Sequence, residues 1–338
     1  MKQIQLEYYQ EGGYKLYRVP GIICTEKGTI IAVYECRYGA DWSAMDLAVR
    51  RSTDGGQSWS ERKIVADSRE IDVYHNAILF ADGDIVHMVW HRNYREAWYA
   101  FSTDEGDTWS EPRDITAAYL PLREQYNWTV IAAGPGHGLV TSSGRLIIPV
   151  WMASNRENIT SHHPSVVTTL YSDDHGKNWK CGEIIWNTDE FVDPNESVLA
   201  ELSDGRIMIN CRHETGTGYR KVGFSPDGIQ KWNGFYFEEQ LTDPVCSAGM
   251  TQGEGILWFS NCACRQEEGR VRLTVRKSND DGENWTNGKE LAATGGYSDI
   301  FYSKTWDKLF VIAETGRARE HTFSFGISVF ILSPDEIQ

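Results

Sequence analysis

Ser52-Thr-Asp-Gly-Gly-Gln-Ser-Trp59 is the first of four copies of one eight-residue phrase. The others read Ser102-Thr-Asp-Glu-Gly-Asp-Thr-Trp109, Ser172-Asp-Asp-His-Gly-Lys-Asn-Trp179 and Ser278-Asn-Asp-Asp-Gly-Glu-Asn-Trp285. A fifth, worn copy is Ser225-Pro-Asp-Gly-Ile-Gln-Lys-Trp232. Self-similarity at a period near fifty residues signals a repeat architecture. The phrase has the chemistry of a hairpin turn. Ser and Asp side chains bond nearby backbone N–H groups, and Gly supplies a positive φ where the chain reverses. The Trp three residues after the Gly can fold over the turn and bury a large apolar area. Strand-like runs precede the copies: Asp46–Arg50, Ala97–Phe101, Val166–Tyr171 and Val271–Arg276. Their β-branched and aromatic content suits strands. A repeat of this length holds about four short strands, which is a propeller blade, so the expected class is all-β.

The phrases resemble the Asp boxes of the sialidase (neuraminidase) superfamily, each placed between two outer strands of a blade. That resemblance, with the number and spacing of copies, implies a six-bladed β-propeller with Asp-box hairpin turns, some boxes having been lost. Asp boxes are structural and lie away from the active face, so they identify a fold and assign no activity.

Composition sets bounds. The 338 residues can all be used by one closed propeller, and residues 1–338 are read as a single catalytic domain. Trp 13, Tyr 16 and Phe 12 make the chain aromatic-rich, as blades packed face to face require. There is no linker-like, low-complexity or single-sign charged run; residues 111–165 read as the irregular part. No apolar stretch approaches membrane-spanning length, and Met1–Gln10 lacks an apolar signal core. The expected location is cytoplasmic, or secreted if a leader has been removed. The seven cysteines are an odd, scattered set that reads as buried free thiols, and Cys262-Ala-Cys264 is too closely spaced for a tetrahedral metal site. The net charge of −15 argues against nucleic acid as a partner. It does not exclude an anionic small molecule, because a few converging arginines can reverse the sign locally.

Several short stretches carry candidate chemistry. Tyr17-Arg18-Val19-Pro20 resembles the superfamily's Phe-Arg-Ile-Pro motif, which implies that Arg18 is the first of three arginines clamping a substrate carboxylate. Guanidinium forks bind carboxylates in a planar, two-bond geometry, so the residue type suits the task. In Tyr34-Glu-Cys-Arg-Tyr-Gly-Ala-Asp41 the match implies that Asp41 is the general acid/base and Arg37 an auxiliary arginine; Asp46 is the rival carboxylate. Asn195-Glu196 through Glu201-Leu-Ser-Asp-Gly-Arg206 to Cys211-Arg212 reads as a hairpin turning at Ser203-Asp204-Gly205. The resemblance makes Glu196 the partner of the nucleophile and Arg212 the second clamp arginine, with Glu201 peripheral. The third clamp arginine falls in Arg270-Val-Arg-Leu-Thr-Val-Arg276. The pattern picks Arg270, while Arg272 shares its strand face by period two and stays open. Tyr297 in Gly296-Tyr-Ser-Asp299 matches the superfamily's nucleophilic tyrosine. Gly134–Leu139 and Ser143–Pro149 resemble stretches that shape the pocket for the N-acyl and glycerol groups. Trp42, Trp128, Trp151 and His91-Arg92-Asn93 are candidate walls. His137 and His213 read as structural, and Asp243–Cys246 as a blade connection.

Together these matches imply a retaining exo-α-sialidase acting on terminal α-linked sialic acid of glycoconjugates, with no cofactor and no metal. A phenol is a sensible nucleophile here. A carboxylate would be repelled by the carboxylate that sialic acid bears on its anomeric carbon. Two alternatives stand beside it. One is a propeller glycosidase for a related nonulosonic acid such as the deaminated sugar, or a trans-sialidase. The other, of a different class, is a non-catalytic sugar-binding Asp-box propeller. Linkage preference and oligomeric state are not legible in the sequence.

Overall fold

The repeat unit folds as expected. In the computed structural model, which describes residues 1–316 and 325–338, the strands form six sheets arranged as the blades of a β-propeller. Blade one runs Leu16–Cys24, Ile30–Arg37, Met45–Ser52 and Lys63–Ala66, each strand antiparallel to the next. Blade two begins at Tyr74–Asp82 and ends at Arg113–Asp114, with Gly136–His137 added in parallel to its first strand. Blade three contains Val130–Ala133, Leu146–Ala153, Ser165–Ser172 and Lys180–Cys181. Blade four spans Ser197–Thr242 and blade five Gly249–Thr294. Blade six takes Ser298–Ser303, Lys308–Gly316 and Phe325–Leu332, and its outer strand is the N-terminal Lys2–Glu7. The two ends of the chain thus close the ring within one blade.

The core lies between blades, in six main apolar clusters, one per blade-to-blade interface. Ile30–Arg37 is buried along its whole length because both faces of its sheet are covered. Each Asp-box Trp packs into the interface with the preceding blade. Trp59 meets the cluster holding Phe310 and Val329 of blade six, and Trp109 the one holding Ile31 and Leu47 of blade one. Trp179 packs with Phe80 of blade two, Trp232 with Ile147 of blade three, and Trp285 with Met208 of blade four. The turn itself is locked as its sequence implied. Ser52 Oγ donates to Asp54 at 2.8 Å and accepts from the Gly56 N–H at 2.9 Å, while Asp54 takes the Ser58 N–H. The same bonds recur around Ser102, Ser172 and Ser278. Blade six carries no box for a topological reason: its third and fourth strands come from opposite ends of the chain, so no turn joins them.

Residues 111–165 are less irregular than expected. They contain a short 3-10 helix, Thr116–Glu124, three strands of the blade-three sheet, Val130–Ala133, Leu139–Val140 and Leu146–Ala153, and two short strands of blade two. Pro149 sits mid-strand in Leu146–Ala153, opposite Thr169. No helix among the described residues is long and apolar enough to cross a membrane. All seven cysteines are free thiols, six of them buried.

Strand direction decides where chemistry can gather. The first strand of each blade lies nearest the axis, where these strands pack on one another. Arg18 and Asn76 lie near the starts of first strands, and Glu196 and Tyr297 immediately before them. Arg37 and Arg212 stand at the ends of second strands, which run antiparallel and finish at the same rim. Third strands start at that rim and end at the Asp boxes, which therefore occupy the opposite face.

Candidate active site

At the rim where first strands begin, Arg18, Arg37, Asp41, Glu196, Arg212, Arg270 and Tyr297 line one cavity, together with Asn76, Tyr94, Trp151, His162 and Asn195. Four arginines and two carboxylates line it, in a chain of net charge −15. Converging guanidiniums offer an anion partners whatever the sign of the whole chain.

The centre of the site is a tyrosine with an unusual set of neighbours. The Tyr297 hydroxyl donates to Glu196 Oε1 at 2.6 Å and accepts from Arg212 Nη1 at 2.9 Å. Arg212 Nη1 also pairs with Glu196 Oε2. The guanidiniums of Arg18 and Arg270 lie 5.0 and 5.2 Å from the centre of the Tyr297 ring. Burial pushes the Tyr297 hydroxyl above its ordinary value, and the Glu196 charge pushes the same way. Arg212, Arg270 and Arg18 pull it back. The phenol is therefore neutral at rest and holds its proton against a carboxylate that can accept it.

Buried carboxylates position two of the arginines. Glu314, fully buried, accepts from Arg18 Nε at 3.0 Å and Nη2 at 3.3 Å. It also takes the backbone N–H groups of Val19 and Tyr297. Glu35, also fully buried, accepts from Arg37 Nε at 2.7 Å and from the Asn76 N–H at 2.8 Å. The same local device serves both. Val19 and Asn76 sit at irregularities of first strands with φ of 52° and 51°, and each turns its N–H toward a buried Glu. For β-branched Val19 that conformation is strained, and the four-bonded Glu314 is what holds it. Arg270 differs. Among the described residues it pairs with no carboxylate, and its one side-chain hydrogen bond is to the Val245 carbonyl at 3.4 Å. An arginine without a counter-ion in a pocket wall is a ready partner for a bound anion.

Asp41 lies on the loop after Ile30–Arg37, with its side chain half exposed. Arg37 Nη1 bonds it at 2.5 Å, and Arg18 Nη1 lies 3.6 Å away. Burial tends to raise its carboxyl, but Arg37 and Arg18 outweigh that and hold it below the usual carboxylate range.

This geometry on this fold can be compared with known proteins. The family model for the BNR repeat-like domain matches residues 28–311. The chain belongs to the BNR-repeat sialidase superfamily. A sialidase of Micromonospora viridifaciens is 30% identical over 312 residues, covering 81% of this chain and 46% of its own. A sialidase of Bacteroides fragilis is 28% identical over 313 residues, covering 80% and 54%. The chain thus spans about half the length of these curated relatives. Among solved structures, a Hadza microbial sialidase aligns with a TM-score of 0.81 at 21% identity, over 99% of this chain and 69% of its own. The intramolecular trans-sialidase from Ruminococcus gnavus aligns at 0.77 and 15% identity, over 98% of each chain. These two likenesses concern the fold.

Within this superfamily member several sequence alternatives resolve geometrically. Arg270 lines the cavity, whereas Arg272 points out to an exposed pair with Glu268 at 2.8 Å. Asp46 is outside the cavity, where it accepts from the Tyr14 hydroxyl and the Ser68 N–H. Glu201 accepts from Ser142 at the surface. Of the candidate walls, Trp151 lines the pocket, and Trp42 stacks on Tyr94 at its edge, ring centres 4.3 Å apart. Trp128 does not; it is buried against Tyr119. His91 bonds Tyr119 and the Ala133 N–H in the interior, Arg92 pairs with Asp72, and Asn93 bonds the Val73 N–H.

The expectation that Gly134–Leu139 and Ser143–Pro149 shape the pocket is corrected: none of these residues lines it. The glycines serve close packing at the axis. A Cβ on Gly134 would lie 2.3 Å from the Ser197 carbonyl oxygen. His137 bonds the buried Asp299 at 2.9 Å, His213 bonds the Tyr219 carbonyl, and Asp243 pairs with Arg220 between blades four and five. Sequence reasoning gave no role to Glu314, Glu35, Asn76, Tyr94 or His162. Glu314 had a signal: a carboxylate directly following the apolar run Leu309–Ala313 must be paired if the strand stays buried to that point.

Proposed function

We propose that this chain is a retaining exo-α-sialidase that releases terminal α-linked sialic acid from glycans. The observation that carries the reading is the Tyr297 hydroxyl, 2.6 Å from Glu196 and ringed by Arg18, Arg212 and Arg270. The names of its relatives support the same class of substrate.

Arg18, Arg212 and Arg270 bind the substrate carboxylate and so place the anomeric carbon over Tyr297. Tyr297 Oη attacks that carbon while its proton passes to Glu196. Activation by an adjacent base is the usual answer to a weak nucleophile. The glycosidic C–O bond breaks, and Asp41 gives its proton to the departing oxygen. In the second step Asp41 takes a proton from water, the water oxygen attacks the same carbon, and Tyr297 leaves and recovers its proton from Glu196. Two displacements at one carbon return the original α configuration.

Asp41 begins on the wrong side of this scheme, since the arginines keep it ionised. The substrate carboxylate corrects that. It engages Arg18 and adds a negative charge beside Asp41, and both effects favour the protonated acid. The enzyme is thereby armed by its own substrate.

A fluorogenic 4-methylumbelliferyl α-sialoside tests the reading. Turnover by the wild type, loss of about a thousandfold or more in Tyr297→Phe and α-sialic acid as the first NMR-visible product support it. Near-native turnover by Tyr297→Phe contradicts it.

A further inference from the structure

Glu35, Arg37 and Asp41 form a short chain of charges beside the cavity. Arg37 uses its Nε and Nη2 on Glu35 Oε2, at 2.7 and 2.5 Å, and its Nη1 on Asp41 at 2.5 Å. One cation is divided between a carboxylate sealed in the interior and a carboxylate open to the pocket. Glu35 is fully buried and its other oxygen is taken by the Asn76 N–H, so it does not reach substrate.

We propose that Glu35 is a positioning residue that sets the readiness of Asp41 to carry a proton, by holding back part of the Arg37 charge. The inference rests on the hydrolase reading only for its catalytic consequence; the coupling itself is a property of the three side chains. Among the described residues, Arg37 and Arg18 face Asp41 from blade one and His162 faces it from blade three. Arg37 in turn faces Glu35, Asp41, Arg18 and Tyr94, Glu35 faces Arg37, Arg18, Tyr94 and the Asn76 N–H, and Tyr94 also faces Asp41. Among the described residues, Glu35 is the carboxylate that offsets Arg37 from the side away from the pocket. With that offset removed, Arg37 acts on Asp41 with its whole charge and the acid becomes harder to protonate.

A bland structural role predicts the opposite sign. If Glu35 merely kept Arg37 in place, its loss would let Arg37 drift from Asp41, and the acid would become easier to protonate. The test is a carbon-13 NMR titration of the Asp41 carboxyl, assigned by its absence in Asp41→Asn, in wild type, Glu35→Gln and Glu35→Asp. Glu35→Gln is expected to lower the Asp41 midpoint by about half a pH unit or more, with Glu35→Asp shifting it the same way by less. The alkaline limb of kcat/KM on a lactose-linked sialoside should move down in step. An unchanged or raised midpoint overturns the proposal. If Glu35→Gln does not fold, Glu35→Asp decides by its sign alone. The titration needs no turnover. A lowered midpoint in a protein that cleaves no sialoside would uphold the coupling and sink the hydrolase reading separately.

Discussion

Glu314 and Arg18 form a buried two-bond ion pair, at 3.0 and 3.3 Å, between the last blade and the first. The pair fixes a pocket arginine and ties the blade closed by the two chain ends to its neighbour. Removing one partner of a buried, hydrogen-bonded ion pair costs about 3–5 kcal/mol. Glu314→Gln is therefore expected to lose about that much stability in urea denaturation, and also substrate affinity. A variant as stable as wild type contradicts this account of Arg18.

Arg270 predicts the contrast. It has no carboxylate partner among the described residues, so Arg270→Ala strands no buried counter-charge and gives up only a long bond to the Val245 carbonyl. Its stability should stay within about 1 kcal/mol of wild type. KM should rise by about tenfold or more, because a charge-assisted bond to the substrate carboxylate is lost. A large drop in urea midpoint with unchanged KM would place Arg270 in the scaffold instead.

The difference between these two arginines was invisible in the sequence. Resemblance to the sialidase motifs picked out both, together with Asp41, Glu196, Arg212 and Tyr297, and the structure brings all six to one cavity. Glu314 and Glu35 escaped notice because their importance comes from burial and from partners on other strands. Gly134–Pro149 misled for the same reason. Its glycines answer to backbones across the propeller axis, and spacing along the chain carries no trace of that approach. The repeat was legible throughout, since the Ser, Asp, Gly and Trp of each box act on one another locally.

The Asp boxes allow fold and chemistry to be separated. Trp179 is 8% exposed and packs between blades two and three, on the face opposite the cavity. Trp179→Ala should cost about 3–5 kcal/mol in denaturant. At a temperature where the variant remains folded, kcat should match wild type. A fall in kcat without loss of stability would show that the two faces are coupled.

Acid should weaken the fold in two stages. Burial holds His87 down at about 4 and His91 at about 3, below the ordinary histidine value near 6.5. Both are neutral when folded, so unfolding takes up protons, and stability falls as pH drops below about 6.5. Side-chain hydrogen bonds from Thr108 and Asn178 hold Asp104 and Asp174 at about 2. Their contribution is complete above about pH 4 and is lost as pH falls toward 2. The urea midpoint is expected to decline from about pH 7 to 4 and again below 4. A flat midpoint over the first interval contradicts the buried neutral histidines.

The central claim is that Tyr297 is the nucleophile, and trapping tests it most directly. A sialic acid analogue with fluorine at the anomeric carbon and at its neighbour leaves readily and is released slowly. After brief incubation, digestion and mass spectrometry, the account predicts one added glycosyl group on the peptide containing Tyr297, at its hydroxyl. A label on Glu196 or Asp41, or an unlabelled enzyme that turns the analogue over with inversion, would contradict it.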